Sequence, residues 1–322
     1  MTKPAPEQEM PMPLDPILAM VLEKAPPLVA PEVAHDAAAA REAYRTRSDP
    51  AAMAAFAAPV ADVADRTISD DGREIPVRIY RPAGDAPSGT FVFYHGGGWV
   101  LGDLDSHDLP CRALSNGLNL TVLAVDYRLA PEHPFPAGLA DSTAATRWAL
   151  ANADQLGGGD HPVVIGGDSA GANFAAVIAQ TLRGSDIAAQ LLIYPATDSS
   201  KTYASAKQYG DGYFLDSTSM KLFQNSYFSD PALRNDSRVS PLLGDLRGLA
   251  PAVIVTAEFD PLKDQGAAYA EALEAAGNRV IFKEFPGLTH GFVNLGPFVP
   301  AAQHAIDETI GLLERLLNEP AG

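Results

Sequence analysis

VVIGGDSAG, Val163 to Gly171, is the stretch that decides the fold. Val163, Val164 and Ile165 form a short apolar run of the kind found in a buried strand. Gly166 to Gly171 is a tight turn, and the alanine-rich run AGANFAAVIAQTL that follows has high helix propensity. The local order is therefore strand, turn, helix, with Ser169 at the apex. Gly167, Ser169 and Gly171 fit the G-x-S-x-G pattern, in which glycines let neighbouring backbone pass close to a strained turn and the serine Oγ stands out over the sheet. The first N–H groups of the helix point at the same spot, where they can hold an anion. Five residues with three fixed positions are weak evidence by themselves, so a base, an acid and an anion-holding loop must be sought elsewhere.

Upstream, TFVFY (Thr90 to Tyr94) is a buried strand that runs into His95, Gly96, Gly97, Gly98 and Trp99. Three successive glycines leave backbone N–H groups uncovered. Gly97 and Gly98, with Ala170 of the elbow, are the expected donors to a negative oxygen, each such donor being worth about 3–4 kcal/mol in a transition state. His95 is expected to shape the loop. Around these stretches strands and helices alternate. Strands are expected over 75–80, 90–94, 120–126, 163–165, 191–194, 252–256 and 280–285. Helices are expected over 109–117, 138–153 and 264–276 and through Ile306, Ile310, Leu313 and Leu317. Such alternation implies a mostly parallel sheet covered on both faces.

Two segments break the pattern. Residues 1–60 carry helical patches near Asp15–Lys24 and Pro31–Arg47, after a proline-rich run, 1–13, that reads as a loose tail. Tyr194 to Leu249 is long, polar and rich in Tyr, Ser and Asp, and a connection of that length is usually functional. The expected division is 1–60 as the N-terminal part of a cap, 61–195 as core, 196–240 as the inserted part of the cap, and 241–322 as core.

A carboxylate that holds an imidazole belongs at a strand end after the elbow. AVIVTAEFDPLKD offers Glu258, Asp260 and Asp264. Asp260, before Pro261, fits best; Glu258 is its rival, and Asp264 is expected to cap the next helix. The base is His290 in PGLTHGF, in a loop between Gly287 and Gly291, whereas His35, His107, His161 and His304 have no motif around them. The order serine, acid, histidine is that of an α/β-hydrolase.

With these residues in view, His95–Trp99, Gly167–Gly171, Asp260–Asp264 and His290–Phe292 resemble the hormone-sensitive-lipase family of α/β-hydrolases, in its bacterial carboxylesterase branch with GDSAG at the elbow. DYRLAPEHPFPA, Asp126 to Ala137, is similar to a block that family carries after its fourth strand. The resemblance implies an eight-stranded sheet, Ser169 as nucleophile, His290 as base, Asp260 as acid, no cofactor, and a short- to medium-chain acyl ester as substrate. Lactone, amide or carbamate cleavage on the same residues is the alternative, as is a non-catalytic small-molecule binder; relatives of that kind lack the histidine that is present here. Trp99, Tyr209, Tyr213 and Phe214 are candidates to line the substrate pocket. Asp168 and Glu132 are expected to be structural partners.

The totals agree. The chain has 322 residues, 47% hydrophobic and 20% charged, as in a folded globular protein. A formal charge of −17 argues against nucleic acid and anionic membrane as partners. The single cysteine, Cys111, excludes an intramolecular disulfide and reads as a small core residue. No stretch approaches the ~18 apolar residues of a membrane span, and Ile17–Leu22 is too short for an export signal. A cytoplasmic protein is expected. No HExxH, CxxC or phosphate-loop pattern suggests a metal or nucleotide. A last strand at an open edge would suit a homodimer.

Overall fold

The computed structural model describes residues 13–24, 27–84, 86–157, 162–228 and 230–319. The expected tail lies outside the described residues except for Pro13. One sheet of eight strands runs through the chain: β1 (Asp62–Asp70), β2 (Arg73–Arg81), β3 (Thr90–Tyr94), β4 (Thr121–Val125), β5 (Val163–Asp168), β6 (Ile187–Ile193), β7 (Ala252–Phe259) and β8 (Val280–Thr289). Their spatial order is β1-β2-β4-β3-β5-β6-β7-β8. β1, β2 and β4 pair antiparallel, and every other pairing is parallel.

β1 was not expected from the sequence as a strand. DVADRTISD is mostly exposed and carries no apolar run. Its pairing with β2 is set by the turn between them, where Asp71 and Gly72 both take positive φ (50° and 74°), the geometry that Asp-Gly favours in a two-residue hairpin.

Ten helices are described: α1 (Pro16–Lys24), α2 (Ala37–Arg47), α3 (Pro50–Met53), α4 (Asp108–Leu118), α5 (Ala137–Ala151), α6 (Ala170–Thr181), α7 (Ala204–Gln208), α8 (Ser217–Tyr227), α9 (Lys263–Ala275) and α10 (Pro300–Asn318). The strands serve both faces of the sheet by their twofold period. Val92, Tyr94, Ile165, Leu192 and Ile254 pack on one face with Phe174 of α6 and Tyr269 and Leu273 of α9. Phe91, Phe93, Val164, Leu191 and Val253 pack on the other with Leu18 of α1, Leu114 of α4 and Ile306, Ile310 and Leu313 of α10. Cys111 is fully buried in this second layer. Among the described residues no helix is long and apolar enough to cross a membrane.

The segment from Tyr194 to Leu249 holds α7 and α8 and short 3-10 turns at Pro231–Asn235 and Pro241–Leu243. The N-terminal segment is tied down by Arg41 of α2. Its guanidinium donates to the carbonyls of Val100 and Ala130 (2.9 and 3.0 Å) and to both oxygens of Glu132 (3.1 and 2.9 Å). Arg41 holds the carboxyl of Glu132 below its ordinary range.

Candidate active site

β7 and β8 run further than their apolar cores suggest, to Phe259 and Thr289. His290 thus follows a strand directly, although a loop was expected from Gly287 on. The register pairs Phe259 with Thr289. The next residue on each strand is Asp260 or His290, so pairing alone brings this carboxylate beside this imidazole. Asp260 is fully buried, and its Oδ2 lies 2.7 Å from His290 Nδ1. Its other oxygen accepts the Leu262 N–H at 2.7 Å, which fixes the carboxylate plane. His290 Nε2 lies 2.9 Å from Ser169 Oγ. The Tyr194 ring, with its centroid 4.4 Å from that of the imidazole, supports it from one side.

The rival carboxylates are used elsewhere. Glu258 Oε2 accepts the Gly287 N–H at 2.9 Å, across the strand pair. Asp264 does not cap its helix: α9 begins at Lys263, and Asp264 Oδ2 instead accepts the Ser205 N–H of α7 at 2.8 Å. The N-cap position of α9 falls to Leu262, which has no capping side chain, and the Asp264 N–H donates to Ser205 Oγ at 3.3 Å.

Ser169 has φ 54° and ψ −114°, a strained conformation for a residue with a side chain. Crowding enforces it. A Cβ on Gly167 would lie 2.0 Å from the Tyr94 carbonyl oxygen, and one on Gly171 would lie 1.9 Å from the same atom. The elbow therefore closes directly on the end of β3, where Tyr94 pairs with Gly167. The next residues, His95 to Trp99, pass beside it. Gly97 and Gly98 have φ of 110° and 61°, and the Gly97 carbonyl accepts the N–H groups of Val100 and Leu101. The N–H groups of Gly97, Gly98 and Ala170 have no protein acceptor among the described residues. All three residues line the cavity into which Ser169 and His290 open.

Asp168 joins the two halves. Its Oδ1 accepts the Gly96 N–H at 2.8 Å and lies 3.3 Å from His107 Nε2; Tyr194 Oη donates to its Oδ2 at 3.4 Å. Burial opposes its charge, but His107, the Gly96 N–H and His290 outweigh burial and keep the carboxyl below its usual range. His107, which has no motif around it, thus stands behind the glycine loop, and only its partner Asp168 could have pointed to it. His95 is buried too, stacked on Tyr127 with ring centroids 4.2 Å apart. Burial and the neighbouring His107 push its pKa down to about 4.

The cavity measures about 360 Å³. Of the four aromatic candidates, Trp99 and Phe214 line it, while Tyr209 and Tyr213 do not. These two pack instead on Phe259, with ring centroids 5.5 and 5.4 Å away, and so buttress the strand end that directly precedes Asp260. Trp99 is itself stacked on Tyr227 of α8 at 4.5 Å. Leu28 and Tyr44 from the N-terminal segment and Leu215, Met220 and Phe223 from the α7–α8 region complete the apolar wall. Helical spacing could have flagged Met220 and Phe223 as one face of α8, but nothing in the sequence pairs that face with Leu28.

Residues 91–294 match a family model described as an alpha/beta hydrolase fold. The carboxylic ester hydrolase LipN of Mycobacterium tuberculosis is 43% identical over 270 residues, which cover 80% of this chain and 71% of that protein. The carboxylesterase NlhH of the same organism is 41% identical over 317 residues, covering 95% and 97%. Among solved structures, an esterase from Pyrobaculum calidifontis superposes with a TM-score of 0.87 at 37% identity, covering 94% of this chain and 99% of that one.

Proposed function

The chain belongs to the hormone-sensitive-lipase family of α/β-hydrolases, and from that premise we propose that it is a serine carboxylesterase acting on short- to medium-chain acyl esters. The observation that carries the reading is the unbroken chain of contacts from Ser169 Oγ through His290 to buried Asp260, at 2.9 and 2.7 Å. His290 Nε2 takes the hydroxyl proton as Oγ attacks the ester carbonyl. The carbonyl oxygen becomes an anion and is received by the N–H groups of Gly97, Gly98 and Ala170. His290 returns the proton to the leaving alcohol. Water then enters, loses a proton to the same nitrogen, and releases the acid. Asp260 keeps Nδ1 protonated and offsets the charge of the imidazolium.

The cavity supports the acyl size, since about 360 Å³ is at the small end for ligand pockets and suits a chain of a few carbons. Residues 1–60 and 196–240 serve as a cap, a role supported by their contribution of Leu28, Tyr44, Met220 and Phe223 to the cavity wall. The lone buried cysteine and the acidic surface suit a cytoplasmic location, and β8, the last strand in the sheet order, offers an edge to a second copy. Hydrolysis of 4-nitrophenyl butyrate tests the assignment. Wild type turns it over and Ser169→Ala does not, and a 4-nitrophenyl phosphonate loses 4-nitrophenolate as it transfers its phosphonyl group, whose mass appears on a peptide containing Ser169. Undiminished turnover by Ser169→Ala removes Ser169 as nucleophile.

A further inference from the structure

The chain carries 40 Asp and Glu against 23 Lys and Arg. The cavity reverses that balance, with Lys201, Lys221 and Arg234 on its wall against two carboxylates, Asp168 and Asp198. Neither carboxylate is offered to a ligand. Asp168 is occupied by Gly96, His107 and Tyr194. Asp198 is 3% exposed; its Oδ1 accepts the N–H and Oγ–H of Ser200 (2.8 and 2.6 Å), and its Oδ2 accepts Tyr203 Oη–H (2.7 Å).

The cations are less engaged. Lys201 Nζ approaches Asp198 only to 4.0 Å. Lys221 and Arg234 have no ion-pair partner among the described residues. Arg234 is half-buried, with its guanidinium 5.7 Å from the centroid of the Phe228 ring. Lys221 lies on the same face of α8 as Ser217 and Gln224, four and three residues away, which also line the cavity. The charge of the whole molecule is screened beyond about 8 Å at physiological salt, so a bound ligand feels these three cations more than the distant acidic surface.

We propose that the cavity selects esters carrying a free carboxylate at the end remote from the scissile bond, with Lys221 and Arg234 receiving it and Lys201 adding to the field. This rests on the esterase reading and names its substrate class. Each partly exposed cation of this kind is worth roughly a twofold to fivefold preference.

The test uses the full chain in a pH-stat with two matched pairs of esters. Monoethyl adipate against ethyl adipamate places the charge on the acyl side. The butyrate ester of 4-hydroxybutyrate against that of 4-hydroxybutyramide places it on the alcohol side. The measured quantity is the kcat/KM ratio of acid to amide. Wild type should favour the acid by roughly fivefold or more in at least one pair. Lys201→Gln, Lys221→Gln and Arg234→Gln together should bring that ratio close to one, and Lys221→Glu should take it lower than Lys221→Gln does. Lys207→Gln, exposed on α7 and away from the cavity, should keep the wild-type ratio. A wild-type ratio at or below one in both pairs overturns the proposal, as does a preference that survives the triple substitution. If both amides are turned over at a ratio of one, only the charge preference falls; if no ester is cleaved, the esterase reading falls with it.

Discussion

Gly98→Ala tests whether the glycine loop acts through its position. A methyl group on Gly98 would lie 2.1 Å from Cγ and Cδ2 of Phe223, where ordinary contact begins at 3.4 Å. Either α8 or the loop must give way by the difference. The φ of 61° costs an alanine about 1–2 kcal/mol in addition. An N–H acts on an oxyanion only from about 2.7–3.1 Å, so displacement by the whole shortfall breaks the bond. Loss of one such donor lowers kcat by about 10²–10³-fold. The partner substitution isolates the cause. Phe223→Ala removes the obstructing ring, so Gly98→Ala with Phe223→Ala should regain most of the kcat lost by Gly98→Ala alone, leaving the φ cost. The assay is steady-state hydrolysis of 4-nitrophenyl butyrate by the four proteins, with thermal midpoints to show that each is folded. A Gly98→Ala enzyme with kcat within twofold of wild type refutes the argument. So does a double variant as slow as Gly98→Ala when Phe223→Ala alone is active.

Further outcomes follow from the same contacts. Asp260→Asn should lower kcat by about 10⁴-fold, because an amide stabilises the wrong imidazole tautomer. Glu258→Ala should instead cost about 1–3 kcal/mol in denaturant unfolding, by orphaning the Gly287 N–H, and slow turnover far less; the reverse pattern would exchange the two roles. Burial lowers the His95 pKa to about 4. Because the folded value lies below the unfolded one, the unfolded chain binds the extra proton first. The resulting loss of stability is absent above about pH 6.5, grows as pH falls, and is complete below about pH 4, reaching about 3 kcal/mol. Urea unfolding of wild type and His95→Asn between pH 7.5 and 4 checks this, since the variant should lose correspondingly less across that window; equal losses refute it.

The candidate site was legible in the sequence because backbone geometry demands its glycines locally. Gly167 and Gly171 are glycines because of a single carbonyl oxygen, and His95–Trp99 follows a strand whose apolar run is complete in itself. Asp260 and His290 could be identified by their order along the chain, but their contact depends on strand ends beyond the apolar runs that mark β7 and β8. β1 escaped notice because an edge strand facing solvent need not alternate, and only its Asp-Gly turn betrays it. The aromatic candidates divided for a related reason. Tyr209, Tyr213, Trp99 and Phe214 look alike in sequence, and only the position of Phe259 turns the first two away from the cavity. Asp264 was read as a cap from its place before a helix, yet the helix begins one residue earlier and the carboxylate turns to the Ser205 N–H instead.

The Tyr94 carbonyl occupies the space that two side chains of the elbow would need, and the residue after it begins the glycine loop. Ser169 and the glycine loop are therefore clamped to one rigid point and cannot drift apart. The walls around the cavity come from another segment, which touches that point through Phe223 beside Gly98 and Tyr227 stacked on Trp99, and the neighbouring strand end through Tyr209 and Tyr213 on Phe259. Grafting the 196–240 stretch of a related enzyme onto this scaffold should exchange one menu of esters for another, and should keep the pace of bond breaking only where the graft retains those four aromatic supports.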